Sequence, residues 1–178
     1  KGALLRFVPV EADGTLSLDA ARRLISPKTK LFAFTAVSNA LGSIVPVRQF
    51  VRLAHDNGAL ALVDGSQWVP HLPTDVSWWD CDFLAFSGHK MLGPTGVGVL
   101  YGRESVLEAM DPFLAGGDMI REVWLERSTY NVLPHKFEAG TPDIAGIVGL
   151  GAAVDYLNAA GLEAIHPQEQ SLLRRAIE

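Results

Sequence analysis

Six residues with polar or charged side chains follow short apolar runs of the kind that form buried strands. They are Asn39, Asp64, Gln67, Ser87, His89 and Lys90. Lysine is among the least buried residues, so a lysine at the end of a core strand either reaches water along its stem or is held for chemistry. In open α/β sheets, ligands bind beyond the carboxyl ends of the strands. We therefore expect these six side chains to share one crevice.

The carboxylate of Asp64 and the amine of Lys90 define the chemistry that this crevice could carry. The two residues end two different predicted strands that are expected to be neighbours. Pyridoxal phosphate needs both groups, because its aldehyde forms a Schiff base with a lysine and its ring nitrogen keeps a proton beside a carboxylate. Ser87 and His89 would face its phosphate, and Gln67 would reach its phenolic oxygen.

Each of these residues alone also has a structural explanation. An aspartate at the end of a strand commonly forms a turn, a single histidine is usually a satisfied polar residue, and a lysine is nearly always solvated. It is the joint placement of these residues at the ends of adjacent strands that favours a shared site.

The elements that must position these residues follow from the hydrophobic pattern. Apolar runs predict strands at 4–10, 31–37, 59–63, 82–86 and 97–101, and helical spacing predicts helices at 18–25, 46–57, 104–110, 144–158 and from 162 onward. Ser17 is expected to cap the first helix, and Gly58 to end the second. The alternation predicts an α/β fold with a mostly parallel sheet, helices on both faces and an antiparallel edge strand.

The sequence resembles the class V aminotransferase group of pyridoxal-phosphate enzymes, which have fold type I. It is most similar to the cysteine desulfurases and selenocysteine lyases of the SUF type. The matching stretches lie in order along most of the chain: AVSNALGSIVPV (36–47), ALALVDGSQWVPH (59–71), DCDFLAFSGHKMLGPTGVGVLYG (80–102), GGDMI (116–120) and KFEAGTPDIAGIVGLGAAVDYL (136–157). The SGHK stretch alone would be weak evidence, and the DGSQ turn before it and FEAGTP after it make the resemblance specific.

The resemblance implies a role for each candidate residue. Lys90 would form the internal aldimine and move the substrate proton, and Asp64 and Gln67 would contact the pyridine nitrogen and the phenolic oxygen. The phosphate would bind Ser87 and His89, and the substrate carboxylate would lie near Asn39. Thr141 would reach the phosphate bound in the neighbouring subunit, which implies a homodimer. A turn such as GTP at 140–142 can present an N–H group and a hydroxyl together.

The resemblance also implies that residues 1–178 form the central part of the pyridoxal-phosphate-binding large domain. In the family, a cofactor-stacking histidine and the first phosphate-binding turn precede this stretch, and a nucleophilic cysteine and a carboxylate-binding arginine follow it. We therefore expect an N-terminal segment and a C-terminal small domain to be absent from this chain. Cys81 is not expected to replace the nucleophile, because the sequence gives no sign of an activating environment and a packing role suits it better.

Composition excludes several other classes of function. The 15 basic and 20 acidic side chains give a net charge of −5, and no basic cluster suggests binding to nucleic acid. The apolar runs are shorter than the ~20 residues of a membrane span. A single cysteine, no CxxC pair and no visible export signal lead us to expect a cytoplasmic protein.

The activity that the resemblance implies is the removal of sulfur from L-cysteine. It would leave L-alanine and an enzyme persulfide, which a protein sulfur acceptor would use for iron–sulfur cluster assembly. Two alternatives share the chemistry: a selenocysteine lyase and another class V aminotransferase. A catalytically silent truncated module that dimerises through the Thr141 region is an alternative of another class. We expect no metal site, because the histidines and Cys81 lack the spacing of metal ligands. We also expect no phosphate-binding loop at 93–98, because the glycines there match neither of the common phosphate-loop patterns.

Overall fold

The computed structural model describes residues 2–178. Its helices and strands are, in chain order, α1 (Leu18–Leu24), β1 (Leu31–Thr35), α2 (Val47–Asp56), β2 (Leu60–Asp64), α3 (Val76–Trp79), β3 (Phe83–Ser87), β4 (Gly98–Gly102), α4 (Glu104–Ala109), β5 (Ile120–Val123), β6 (Ser128–Tyr130), α5 (Ile144–Ala160) and α6 (Leu162–Ile177). Short 3-10 turns occupy Gly88–Met91 and His135–Phe137. The predicted elements from residue 18 onward are confirmed, with small shifts at their ends.

Strands β1 to β4 form one sheet in that order. The first three are parallel, and β4 runs antiparallel to β3. The predicted α/β fold, with a mostly parallel sheet and an antiparallel edge, is therefore confirmed. Parallel neighbours end at the same edge of a sheet, so β1, β2 and β3 deliver the residues that follow them to one side of the molecule.

The main core lies between one face of this sheet and helices α1 and α2. Helix α2 buries Val47, Phe50, Val51 and Ala54, which recur at helical spacing on a single side. The ring of Phe50 stacks on Phe32 of β1, with centroids 5.8 Å apart. Burial of such a side chain stabilises the fold by about 1.5–3 kcal/mol, so α2 fixes the sheet that supports the predicted site.

A second, smaller cluster forms where α5 meets the turn after β3. Met91, Leu150 and Leu157 are buried in it, and the first turn of α6 packs against them through Leu162 and Ile165.

Within residues 2–178, no single helix is long and apolar enough to cross a membrane. Helices α5 and α6 meet the length and composition criteria only when taken together, across a bend of 77°.

The prediction of a strand at residues 4–10 is wrong. This segment is extended, but its only ladder contact is an isolated bridge between Val10 and Leu16. A strand needs a neighbour for its backbone groups, and no described strand lies beside this one. Leu4 and Phe7 are accordingly 86% and 80% exposed. A smaller difference concerns Pro46, which caps α2 and is not its first helical residue.

Candidate functional site

The carboxyl edge of the sheet brings together the strand ends that the sequence singled out. In the register, Asp64 of β2 lies between Thr35 of β1 and Ala85 of β3. Ser87 is two residues beyond Ala85, so its side chain lies on the same face of the sheet as that of Asp64. These two residues therefore share one edge and one face of the sheet.

The turn that begins at Asp64 is fixed by hydrogen bonds to both neighbouring strands. The Asp64 carbonyl oxygen accepts a bond from Ala36 N (2.9 Å), and Gly65 N donates to the Ala85 carbonyl oxygen (2.9 Å). The carboxylate Oδ1 of Asp64 accepts a bond from Ser66 N at 2.9 Å. Its Oδ2 has no hydrogen-bond partner within the described chain, and the residue is exposed. One carboxylate oxygen therefore remains available to a ligand.

Gln67 and Asn39 meet above this edge. The Gln67 side-chain amide donates from Nε2 to Asn39 Oδ1, although the residues follow different strands. Both were predicted at the site from the strand-end rule alone. The bond occupies one polar atom of each amide and leaves Gln67 Oε1 and Asn39 Nδ2 free to contact a ligand.

His89 and Lys90 lie in the 3-10 turn Gly88–Met91 that directly follows β3. Gly88 N donates to the Val97 carbonyl oxygen at 2.9 Å, and Gly93 N donates to the Gly88 carbonyl oxygen at the same distance. These bonds tie the turn to the start of β4. His89 is exposed and Lys90 half-buried. The Lys90 ammonium makes no hydrogen bond or ion pair with any residue from 2 to 178.

Thr141 occupies a different part of the structure. It is exposed and follows Gly140, which has a positive φ of 81° and donates its N–H to the Gly117 carbonyl oxygen (2.9 Å). Two residues later, Asp143 caps α5 by accepting a bond from Gly146 N (3.0 Å). No hydrogen bond among the described residues joins Thr141 to the six residues at the sheet edge.

The polar side chains at this edge suit a ligand that has a protonated ring nitrogen, a carbonyl carbon and an anionic group. A carboxylate with a free oxygen can hold a protonated ring nitrogen, an unpaired amine can meet a carbonyl carbon, and a hydroxyl beside an imidazole can bind an anionic group. The side chains concerned are those of Asp64, Lys90, Ser87 and His89. No group of three or more His, Cys, Asp or Glu side chains in the described part of the chain is placed to hold a metal ion.

Sequence reasoning missed the support beneath the Lys90 turn. A Cβ atom on Gly88 would lie 3.3 Å from Leu150 of α5, and one on Gly93 would lie 3.0 Å from the same side chain. Helix α5 thus presses directly on the glycines of this turn. The many small side chains of 144–158 are typical of a closely packed helix, but the sequence does not identify the element that packs against it.

A buried carboxylate at the opposite end of β3 was also missed. Asp82 is 4% exposed and accepts a hydrogen bond from Ala61 N (2.8 Å). His55 Nε2 lies 2.9 Å from Asp82 Oδ2, and Arg103 Nε lies 3.2 Å from Oδ1. This network joins α2, β2 and β3 to the residue after β4, at the edge away from Lys90.

Cys81 is fully buried beside this network. Burial raises the pKa of its thiol to about 11, and the nearby Asp82 carboxylate adds to the effect. A thiol is nucleophilic only as its thiolate, so this cysteine is inert. The observation agrees with the interpretation of Cys81 as a packing residue.

Comparison with known proteins identifies the family. The family model for aminotransferase class-V matches residues 1–178. The chain belongs to the aminotransferase class-V family. A cysteine desulfurase of Klebsiella pneumoniae is 52% identical over 178 residues, which are 99% of this chain and 44% of that protein. This member of the family therefore spans less than half the length of the curated relatives it matches.

Solved structures agree with this assignment. The apo structure of a cysteine desulfurase from Thermococcus onnurineus has a TM-score of 0.89 and 42% sequence identity, over 96% of this chain and 42% of that one. The structure of SspA in complex with cysteine has a TM-score of 0.68 and 30% identity, over 82% of this chain and 38% of that one. These two solved structures thus share the fold of this chain and between 30% and 42% of its residues over the aligned part.

Proposed function

We propose that the full-length protein is a pyridoxal-phosphate-dependent cysteine desulfurase. The observation that carries the proposal is the common edge at which Asp64 and Ser87 share a face and the Lys90 turn follows directly. Relatives with 50% and 52% sequence identity are named as a probable cysteine desulfurase and a cysteine desulfurase, and one structural neighbour is a complex with cysteine. The proposed substrate is therefore L-cysteine.

The residues of this chain would bind the cofactor in parts. Lys90 would hold its aldehyde carbon, Asp64 its ring nitrogen and Gln67 its phenolic oxygen, while Ser87 and His89 would bind the phosphate. When bound, pyridoxal phosphate supplies a ring that accepts electrons from the substrate Cα. Asp64 would favour this by keeping a proton on the ring nitrogen, and Lys90 would move the proton at Cα. The amide of Asn39 would orient the substrate carboxylate.

The overall reaction balances as a transfer of sulfur. The C–S bond of L-cysteine breaks, an S–S bond forms to an enzyme thiol, and the thiol proton balances the new C–H bond of L-alanine. Cys81 is buried and protonated, so the thiol would come from a part of the protein beyond this chain. Transfer of that sulfur to an acceptor protein for iron–sulfur cluster assembly, and a cytoplasmic location, stay predictions from the sequence.

A homodimer is part of the proposal. Thr141 is exposed and makes no hydrogen bond to the other proposed site residues of the described chain, as expected of a residue that serves a second subunit. Thr141→Val removes the hydroxyl at almost constant volume. It should weaken cofactor binding while the protein stays dimeric in sedimentation analysis, and a wild-type monomer that binds the cofactor tightly would refute the shared site.

The cofactor assignment is tested by adding pyridoxal phosphate to the full-length protein. Wild type should develop the visible absorbance band of lysine-bound cofactor, and Lys90→Ala should abolish it. Lys28→Ala, which removes an exposed lysine next to α1, is the matched control and should keep the band. Formation of L-alanine from L-cysteine then tests the reaction. A wild-type protein without the band would defeat the proposed function.

A further inference from the structure

A single pair of polar side chains joins the last helix, α6, to the segment after the Asp64 turn. His71 Nδ1 lies 2.6 Å from Glu169 Oε1, although the residues are 98 positions apart in sequence. Among the described residues, no other side-chain hydrogen bond or ion pair links α6 to another element.

The chemistry of the two side chains fixes which one donates the hydrogen bond. An ionised carboxylate only accepts hydrogen bonds, so His71 must donate from Nδ1. The two side chains are 41% and 39% exposed. Ion pairs as exposed as this one contribute little to overall stability. The pair is therefore expected to affect the local orientation of the segments it joins more than the overall stability of the fold.

The side of α6 that carries Glu169 also carries the residues that dock the helix. Leu162, Ile165 and Glu169 follow one another at spacings of three and four, which places them on one face. Leu162 and Ile165 pack against the buried cluster around Met91, and Val69 packs against the same cluster. One face of α6 thus packs on the cluster that Met91 of the Lys90 turn also helps to form, and Glu169 on the same face reaches His71.

Successive backbone bonds connect His71 to the Asp64 turn. Trp68 N and Val69 N both donate to the Gly65 carbonyl oxygen, at 2.8 and 2.9 Å, and His71 N donates to the Trp68 carbonyl oxygen at 3.0 Å. Gln67 lies inside this run of turns. These bonds form a continuous backbone path from His71 to Gln67 and Asp64.

We propose that His71, held by Glu169, is a positioning residue that sets the orientation of Asp64 and Gln67 toward pyridoxal phosphate. The inference rests on the proposed function, because the orientation matters only if these residues meet that ring. It assigns to α6 the task of holding the two cofactor-contacting turns in one arrangement. His71 acts through Asp64 and Gln67.

The test uses the full-length protein with pyridoxal phosphate as the probe. His71→Ala and Glu169→Ala should each raise the cofactor dissociation constant roughly two- to fivefold and shift the visible band of bound cofactor. The double variant should be no worse than either single one, because both remove the same bond. His71→Asn should restore wild-type binding, since its amide can donate from a position close to Nδ1. Glu163→Ala removes another acid from α6 and is the matched control.

Thermal unfolding of the cofactor-free variants distinguishes a role in orienting Asp64 and Gln67 from a role in stabilising the whole fold. We expect unfolding midpoints within about 2 °C of wild type, because the pair is exposed. Unchanged cofactor affinity and spectrum in both alanine variants, or a failure of His71→Asn to restore them, would overturn the positioning role while the proposed function stands. If wild type itself does not bind pyridoxal phosphate, the proposed function fails first, and that result is separate.

Discussion

Gly88 lies directly against the backbone of Val97. Its N–H donates to the Val97 carbonyl oxygen at 2.9 Å, and a Cβ atom on Gly88 would come within 2.9 Å of the same oxygen. Any larger residue must therefore move the 3-10 turn away from β4, and the turn carries Lys90. The absence of a side chain at this position is a structural requirement of the site.

The first prediction concerns Gly88→Ala. The clash with a backbone atom should lower the free energy of unfolding by about 1–3 kcal/mol and displace Lys90, so that pyridoxal phosphate binding is largely lost. Urea unfolding and cofactor titration measure the two effects. Gly151→Ala is the control, because nothing lies within 4 Å of a Cβ on this α5 residue. Wild-type cofactor binding in Gly88→Ala would show that the turn tolerates the shift.

The second prediction concerns the buried carboxylate of Asp82. Asp82→Ala leaves the Ala61 N–H and the side chains of His55 and Arg103 without their shared partner. Loss of one member of such a network should cost about 3 kcal/mol in the free energy of unfolding. Asp82→Asn keeps an acceptor for Ala61 N and should cost less. Equal stabilities of the two variants in urea unfolding would contradict the role assigned to that hydrogen bond.

Much of the site could be predicted because parallel strands end at a common edge. Asp64 and Ser87 follow neighbouring buried strands, so the apolar pattern alone was enough to place them together. The contact between Asn39 and Gln67 has the same origin. The role of Thr141 came only from family resemblance, since an exposed threonine carries no pattern that specifies a partner.

The other features could not be predicted from the sequence, because each depends on a contact with a partner that is distant in the chain or absent from its described part. The alternation at 4–10 is typical of a strand, but a strand forms only beside another, and no described strand adjoins this segment. Strands β5 and β6 are only four and three residues long and almost wholly exposed, so they give no hydrophobic pattern that predicts a strand. The contact of His71 with Glu169 spans 98 positions, and periodicity carries no information at that range.

The third prediction is a pH dependence that arises from Asp80. Arg103 donates to Asp80 Oδ1 at 2.8 Å, and this bond holds the pKa of that carboxyl below its usual 3.8. The folded-state pKa is the lower one, so the stabilisation is present above pH 3.8 and is lost as the pH falls through the folded-state value. Asp80→Asn should therefore be less stable than wild type at neutral pH, by at most about 1 kcal/mol because the pair is exposed. The difference should vanish in strong acid, and a constant difference across the acid range would contradict this origin.

The fourth prediction concerns the reactivity of Cys81. A pKa of about 11, raised from 9.0, reduces the thiolate fraction at neutral pH about a hundredfold, and full burial blocks reagents as well. A disulfide reagent should therefore label the 178-residue chain, which has this one cysteine, very slowly when folded and rapidly in urea. Because the folded-state pKa is the higher one, the contribution of the buried thiol to stability should be present below pH 9.0 and decline as the pH rises toward 11. Rapid labelling of the folded chain at neutral pH, at the rate of a small-molecule thiol, would show that Cys81 is accessible and would reopen the possibility that it acts as the sulfur-accepting group.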